Sequence, residues 1–539
     1  MELKALRKLL ILGALASFGG GAVAQVPGSA DPEWNTVRQG QRPQGEFAWS
    51  GIATQPSGKV LMAARISDGS NVSYRIWRFD RTGSLDASFG SAGTANVPLA
   101  GGLVTDGIGR IYSLGSATSD TAGIMRLLPD GAIDPTFGNG QPVSMARTLG
   151  DVGVLPTGGI IAVMPEQNSS NVPQFIVATK LRDDGSADAS FGVNGVMTLY
   201  SAPANSTVGV PDVEVAPDGS FVVQFSQTAG PGNFAARLHR FNANGTPDSS
   251  FGTAGAVVAP GWRVNDFELQ HDGRILVLLG NDQPATMVAR LTPDGRLDSS
   301  FGSNGLAAAT NRRFTQIEPE ADGGIIVATT SMPSGAQGAP ALMRLTPAGV
   351  VDSSFSSPVL EQPALVQLVL GDGAYAMTFL AGNNLEADRW LYKFVLPRES
   401  SRVGVTTDNT PTTSAFRIEA QNLTGTLVNG ISTTQVAGLH GFVYPQGTDL
   451  NASADLFVVA GTPQGFYMRN TSGAFVRWDG TVSTLVPAYE NLQLRDNLHV
   501  PVYSGRLPFT GQFQLYLGYM RDGGPLVYTA QPTSLVVTP

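Results

Sequence analysis

The chain has 539 residues, 42% of them hydrophobic and 14% charged, with 65 glycines, 35 prolines and no cysteine. This turn-rich globular composition excludes a disordered chain, a disulfide-stapled fold, thiolate metal sites and thiol catalysis. A formal net charge of −9 weighs against nucleic acid, whose binding rests on neutralising phosphates.

Residues 1–24 read as a secretory leader. Lys4, Arg7 and Lys8 precede a short apolar core, Leu9 to Ala16, and Ala22-Val-Ala24 offers a small-residue cleavage site before Gln25. That core is too short to span a bilayer, and no later segment reaches ~18 apolar residues. The expectation is a mature protein with no membrane span, cleaved after Ala24 and periplasmic, extracellular or secreted.

Beyond the leader one phrase recurs, clearest at Arg290-Leu-Thr-Pro-Asp-Gly295-Arg-Leu-Asp298-Ser-Ser-Phe301-Gly302. Its variants are Arg78…Asp86…Phe89, Arg126…Asp134…Phe137, Lys180…Asp188…Phe191, Arg240…Asp248…Phe251 and Arg344…Asp352…Phe355. The phenylalanines fall 48, 54, 60, 50 and 54 residues apart, the period of stacked supersecondary units. Each period also carries an earlier turn, seven in all, such as Pro217-Asp-Gly219 before Phe221-Val-Val. A glycine that accepts positive φ between two apolar runs closes a hairpin. Each period is therefore expected to run strand, turn, strand, loop, strand, Pro-Asp-Gly turn, strand, corner. Four antiparallel strands in about 50 residues make one propeller blade.

Seven turns face six phenylalanine corners. Asp31-Pro-Glu-Trp34-Asn35 supplies the missing corner, while Trp390-Leu-Tyr-Lys393-Phe394 ends the last period without one. The expected fold is all-β: a seven-bladed β-propeller over 25–397, closed by an N-terminal strand. The repeat resembles the delta-60 repeat β-propeller family of bacterial secreted and surface proteins over roughly 31–397. The resemblance implies a propeller and brings no catalytic residues. Ser356 departs from it where glycine is expected.

Residues 398–414 are polar and read as a linker. Residues 415–539 alternate apolar and polar, as in Phe416-Arg-Ile-Glu and Phe513-Gln-Leu-Tyr-Leu-Gly-Tyr519, which suits a C-terminal β-sandwich. That end is loosely similar to immunoglobulin-like modules of exported bacterial proteins.

Candidate chemistry is sparse. The repeated Arg and Asp flank a turn as cross-strand neighbours and read as a structural pair, and the repeated Phe as the filling between blades. His239, His271, His440 and His499 lack metal-ligand spacing, and no nucleophile elbow, zinc or calcium motif occurs. No catalytic, cofactor-binding or metal residue and no cofactor is assigned, and the ligand-binding residues are unknown. The segments that break the repeat are better candidates for ligand contact: Gln167–Asn171, Ser201–Val210, Thr228–Phe234 and Ser331–Gly338, with Tyr200 and Trp262 nearby. The expected function is a non-enzymatic exported scaffold for a protein or glycan. The alternative is a polysaccharide- or polymer-active enzyme at the channel mouth; clustered Asp, Glu, Arg or Tyr at one mouth would favour it, and small apolar residues there the scaffold.

Overall fold

The computed structural model describes residues 46–539 apart from 69–70, 81–82, 100, 117–121, 146–148, 271, 281–285, 309–312, 321–322, 331–341, 356–364, 371–373, 380–388, 395–401, 408–409, 423–429, 450–451 and 495–497. The expected leader, the Asp31–Asn35 corner, His271, Ser331–Gly338 and Ser356 lie outside the described residues. Strand is nearly the sole regular secondary structure among the described residues, which fall in two compact units with their boundary between Pro397 and Arg398. Among them no helix is long and apolar enough to cross a membrane.

In the first unit each period folds as one small antiparallel sheet, and among the described residues seven such sheets follow one another. Their first strands are Glu46–Thr54, Gly102–Thr105, Asp151–Val154, Asp212–Val215, Arg263–Leu269, Arg313–Pro319 and Leu365–Leu370. Each packs against the next, and the last packs against the first. Sheets arranged radially around a ring of inner strands make a β-propeller.

The order within a period differs from the expected one. After the Pro-Asp-Gly turn only a single bridge forms, for example Leu291↔Leu297, and Leu297 is 51% exposed. The fourth strand instead follows the corner: Leu306–Ala308 pairs with Thr286–Leu291. The corner is a tight reversal in which the Gly305 N–H donates to the Phe301 carbonyl and the Arg290 N–H to the Gly305 carbonyl. Two glycines and Asn304 take positive φ there, which is why the phrase ends Phe-Gly-x-Asn-Gly.

The repeated phrase holds one sheet to the next. All six Arg or Lys side chains reach their Asp, at 2.8, 2.7, 3.5, 2.6, 2.8 and 2.7 Å in chain order. In the fifth sheet Arg290 Nε donates to Asp298 Oδ2, while the Ser300 N–H and hydroxyl donate to Asp298 Oδ1. The guanidinium lies 4.5 Å from the centre of the fully buried Phe301 ring. Its Nη1 donates across the seam to the Pro347 carbonyl of the sixth sheet, and the Gly302 N–H donates to Ala348. Phe301 in turn packs beneath Gly349 (φ +76°), where an added Cβ would sit 2.7 Å from its ring. Burial opposes the charge of Asp298, but Ser300 and Arg290 outweigh it and hold its carboxyl below the usual range.

The second unit is a single path of strands that folds over one core. Residues such as Phe416, Ile418, Leu439, Val458 and Leu517 are buried together, and the buried Tyr519 hydroxyl donates to Asp449 (2.7 Å). This is a sandwich-like β unit. The stretch read as a linker carries strand Arg402–Thr406, which pairs with Leu526–Thr529, and strand Pro411–Asn422 starts inside it. Both strands are paired on two sides within the sheet, and their β-branched threonines and valines favour strand over loop.

Phe301→Ala is expected to cost about 3–5 kcal/mol of unfolding free energy. Asp298→Ala is expected to lower the thermal midpoint by leaving a buried guanidinium unpaired. Chemical and thermal denaturation measure both; native-like midpoints in the two variants would sink the inter-sheet role.

Candidate functional site

The inner strands alternate between buried apolar residues and residues that keep partial exposure beside the propeller axis. On Asp212–Val215 the pattern is Asp212 and Glu214 partly exposed, Val213 and Val215 buried. The same two register positions, opposite the second strand, recur in each sheet. In the first and second sheets they hold Gly51 with Ala53 and Gly102 with Val104. In the third they hold Asp151 and Gly153, in the fourth Asp212 and Glu214, in the fifth Asp266 and Glu268, in the sixth Gln316 and Glu318. Six carboxyl groups therefore line one side of the ring, across four consecutive sheets.

Two of the aspartates also tie sheets together. Asp151 Oδ2 accepts from the Val213 N–H at 3.1 Å, and Asp266 Oδ2 from the Ile317 N–H at 2.7 Å, each across a seam. Gln316 Nε2 donates to Glu318 at 3.2 Å. Among the described residues no basic side chain pairs with Glu214, Glu268 or Glu318.

Crowding without a counter-charge raises the carboxyl pKa values. Burial, then Asp151 and Asp266, push Glu214 up to about 8. Burial pushes Asp266 up to about 7, with Asp151 adding and the Ile317 and Phe267 N–H groups opposing. Burial and neighbouring acids hold Asp212, Glu268 and Glu318 well above their ordinary values. The raised values favour the neutral, protonated form, most clearly at Glu214. Among the described residues no three acids or histidines converge as a metal shell would require.

The described segments that break the repeat are mostly exposed, Ala229–Asn233 throughout, with a few residues anchored against the sheets. Ser201–Val210 supplies strand Thr207–Val208, which extends the fourth sheet along Phe221–Thr228. Tyr200 Oη and Arg237 Nε both donate to Gln227 Oε1, at 2.7 and 2.6 Å, and Gln227 Nε2 donates to Ser206. His239 clusters with the Tyr200 and Phe225 rings, and burial, with Arg237, lowers it to about 4. Trp262 packs partly buried against the core shared by the fourth and fifth sheets. Asn168 and Gln174 close the Gln167–Asn171 turn on itself.

Sequence spacing missed two groupings. His440 and His499, 59 residues apart, meet on the C-terminal unit with Nδ1 and Nε2 3.1 Å apart. The acidic arc carried a readable signal: its members stand seven and five residues before the turn glycines Gly158, Gly219, Gly273 and Gly323.

The family described as "Domain of unknown function (DUF5122) beta-propeller" matches residues 55–89, 109–137, 217–251, 270–301 and 320–355, all within the ring. No curated protein matches the chain. Similar solved structures include the polysaccharide lyase Uly1, at 11% identity over 69% of this chain and 97% of that one, TM-score 0.41. The β-propeller domain of the Trilobed protease from Pyrococcus furiosus matches at 7% identity over 67% and 98%, TM-score 0.40. Prolyl oligopeptidase B from Galerina marginata matches at 9% over 78% and 58%, TM-score 0.38. Those activities belong to those proteins. Family match and sheet geometry agree on the class: this is a β-propeller protein.

A group whose folded pKa is raised contributes no penalty below its unfolded value and destabilises as pH rises through the folded value. With Asp266 at about 7 and Glu214 at about 8, the thermal midpoint is expected to fall between about pH 5 and pH 9. Glu214→Gln is expected to flatten that fall and raise the midpoint at alkaline pH. Differential scanning calorimetry across the range decides it; a midpoint that climbs with pH there contradicts the crowded arc.

Proposed function

We propose that the protein is an exported, non-enzymatic binding scaffold, a seven-bladed propeller of delta-60 type followed by an immunoglobulin-like module. Its ligand is a protein or glycan presenting positive charge to the inner strands. The observation that supports a scaffold over an enzyme is that, among the described residues, the acids spread in two tiers over four consecutive sheets instead of converging on one point. The repeated Arg, Asp and Phe are consumed between sheets, and the positions free to vary beside the axis became carboxylates on four consecutive sheets and small apolar residues on two. An unpaired row of like charge lowers stability, so its presence points to use rather than to folding.

A second reading, an enzyme on a polysaccharide or other polymer, is favoured by one observation. Glu214, pushed up to about 8, is suited to donate a proton at neutral pH beside carboxylates that stabilise positive charge.

The test uses the full chain and a Glu214→Gln, Glu268→Gln, Glu318→Gln variant, each immobilised and exposed to a glycan panel and to envelope proteins. The scaffold reading expects a ligand retained by the native chain and lost by the variant, with nothing cleaved. Equal retention by both places binding elsewhere and overturns the arc. New polymer ends released by the native chain but not by Glu214→Gln establish the enzyme instead.

A further inference from the structure

The arc contains more unsatisfied acceptor than its carboxylates alone. Gln224 stands directly across from Asp212 in the register of the fourth sheet, so the two side chains share a face. It is 8% exposed, and its Oε1 is buried with no hydrogen-bond partner. A buried amide oxygen left unmatched costs about 1–3 kcal/mol. On the face it shares with Asp212 the neighbouring carboxyl is itself an acceptor when charged. Asp151 crowds the same point from the third sheet, and its side chain is close enough to share a hydrogen bond with Asp212. Acceptors facing one another call for N–H donors or a cation.

The layout favours distributed charge over a point charge. The carboxylates stand in two tiers, two residues apart along each strand, or roughly 6.6–6.8 Å. They extend over four strands without any three converging on one centre. A metal ion needs converging ligands. A flexible chain with several ammonium groups instead places one donor beside each successive carboxylate.

Resting on the arc as the binding surface, we propose that it seats a small linear polyamine. Asp151, Asp212 and the Gln224 carbonyl take one ammonium, and Glu214, Asp266, Glu268 and Glu318 take the others. Each ammonium adds donors to the few N–H groups already present and supplies the counter-charge that keeps the carboxylates ionised. Binding therefore expels protons that the free arc holds, and it weakens with salt. The groups that face one another across the seams are Asp151, Asp212 with Glu214, Asp266 with Glu268, and Gln316 with Glu318.

Isothermal titration of spermine into the full chain tests this at low salt, in two buffers of different protonation enthalpy. The expected result is binding with net proton release, tightening by about tenfold or more from about pH 6 to pH 8.5. Gln224→Leu should keep or raise the thermal midpoint while weakening spermine, and Glu214→Gln with Glu268→Gln should weaken it by at least about tenfold. Absence of binding, undiminished binding in both variants, or tighter binding of calcium or of a glucosamine tetramer overturns the polyamine assignment. If spermine fails while the triple glutamine variant still loses its captured ligand, the scaffold reading survives and only the ligand class falls.

Discussion

The ion pair between each repeated Arg and its Asp, laid over a buried Phe, is the constraint on which the ring depends. It fixes three things at once. The carboxylate ties down the corner by accepting from the residue two positions on; in the fifth sheet that residue is Ser300. The guanidinium covers the aromatic ring and reaches a carbonyl of the following sheet, and the ring fills the space beneath that sheet's turn glycine. The pairs are nearly buried, and in that setting losing one partner costs more than the pair itself contributes. The same pairing of Arg or Lys with Asp in six sheets commits the repeated residues to structure and leaves them little freedom to carry an asymmetric site.

Freedom lies instead on the inner strands. Their side chains beside the axis do not enter the corner contacts, so they vary without unfastening the ring. Glycine, alanine and valine hold these positions in the first two sheets, and carboxylates appear from the third to the sixth. The two sets of acids oppose each other in pH response. Corner aspartates such as Asp298, held below the ordinary range, lose their contribution as pH falls through the acid region. Arc carboxyls such as Glu214 penalise the fold as pH rises toward 8. Stability is bounded on both sides by different parts of the same blade.

Much of the fold was legible because it repeats. Six copies of Asp-x-x-Phe at a period near 50 state a stacked unit more firmly than any single strand propensity. What the repeat did not show was where the fourth strand lies, since Leu297 and Leu306 are equally apolar and only the hydrogen bonds of the corner separate them. The arc was harder. Asp212-Val-Glu214 reads like any half-exposed strand, and its meaning emerges only when four such strands meet around one axis. Gln224 was silent for the same reason, since its partner Asp212 is set by register. His440 and His499 are joined by strand pairing across 59 residues, a separation no local motif spans.

The central claim is that two electrostatically opposite families of carboxyl groups exist in one ring. Carboxyl carbon NMR titration of the full chain tests it most directly, with Glu214→Gln and Asp298→Asn variants to assign signals. The account expects one set of resonances titrating near neutrality or above, losing a member in Glu214→Gln, and a second set titrating below the usual aspartate range, losing a member in Asp298→Asn. If every carboxyl titrates together near about pH 4, as in unfolded peptides, the account is wrong.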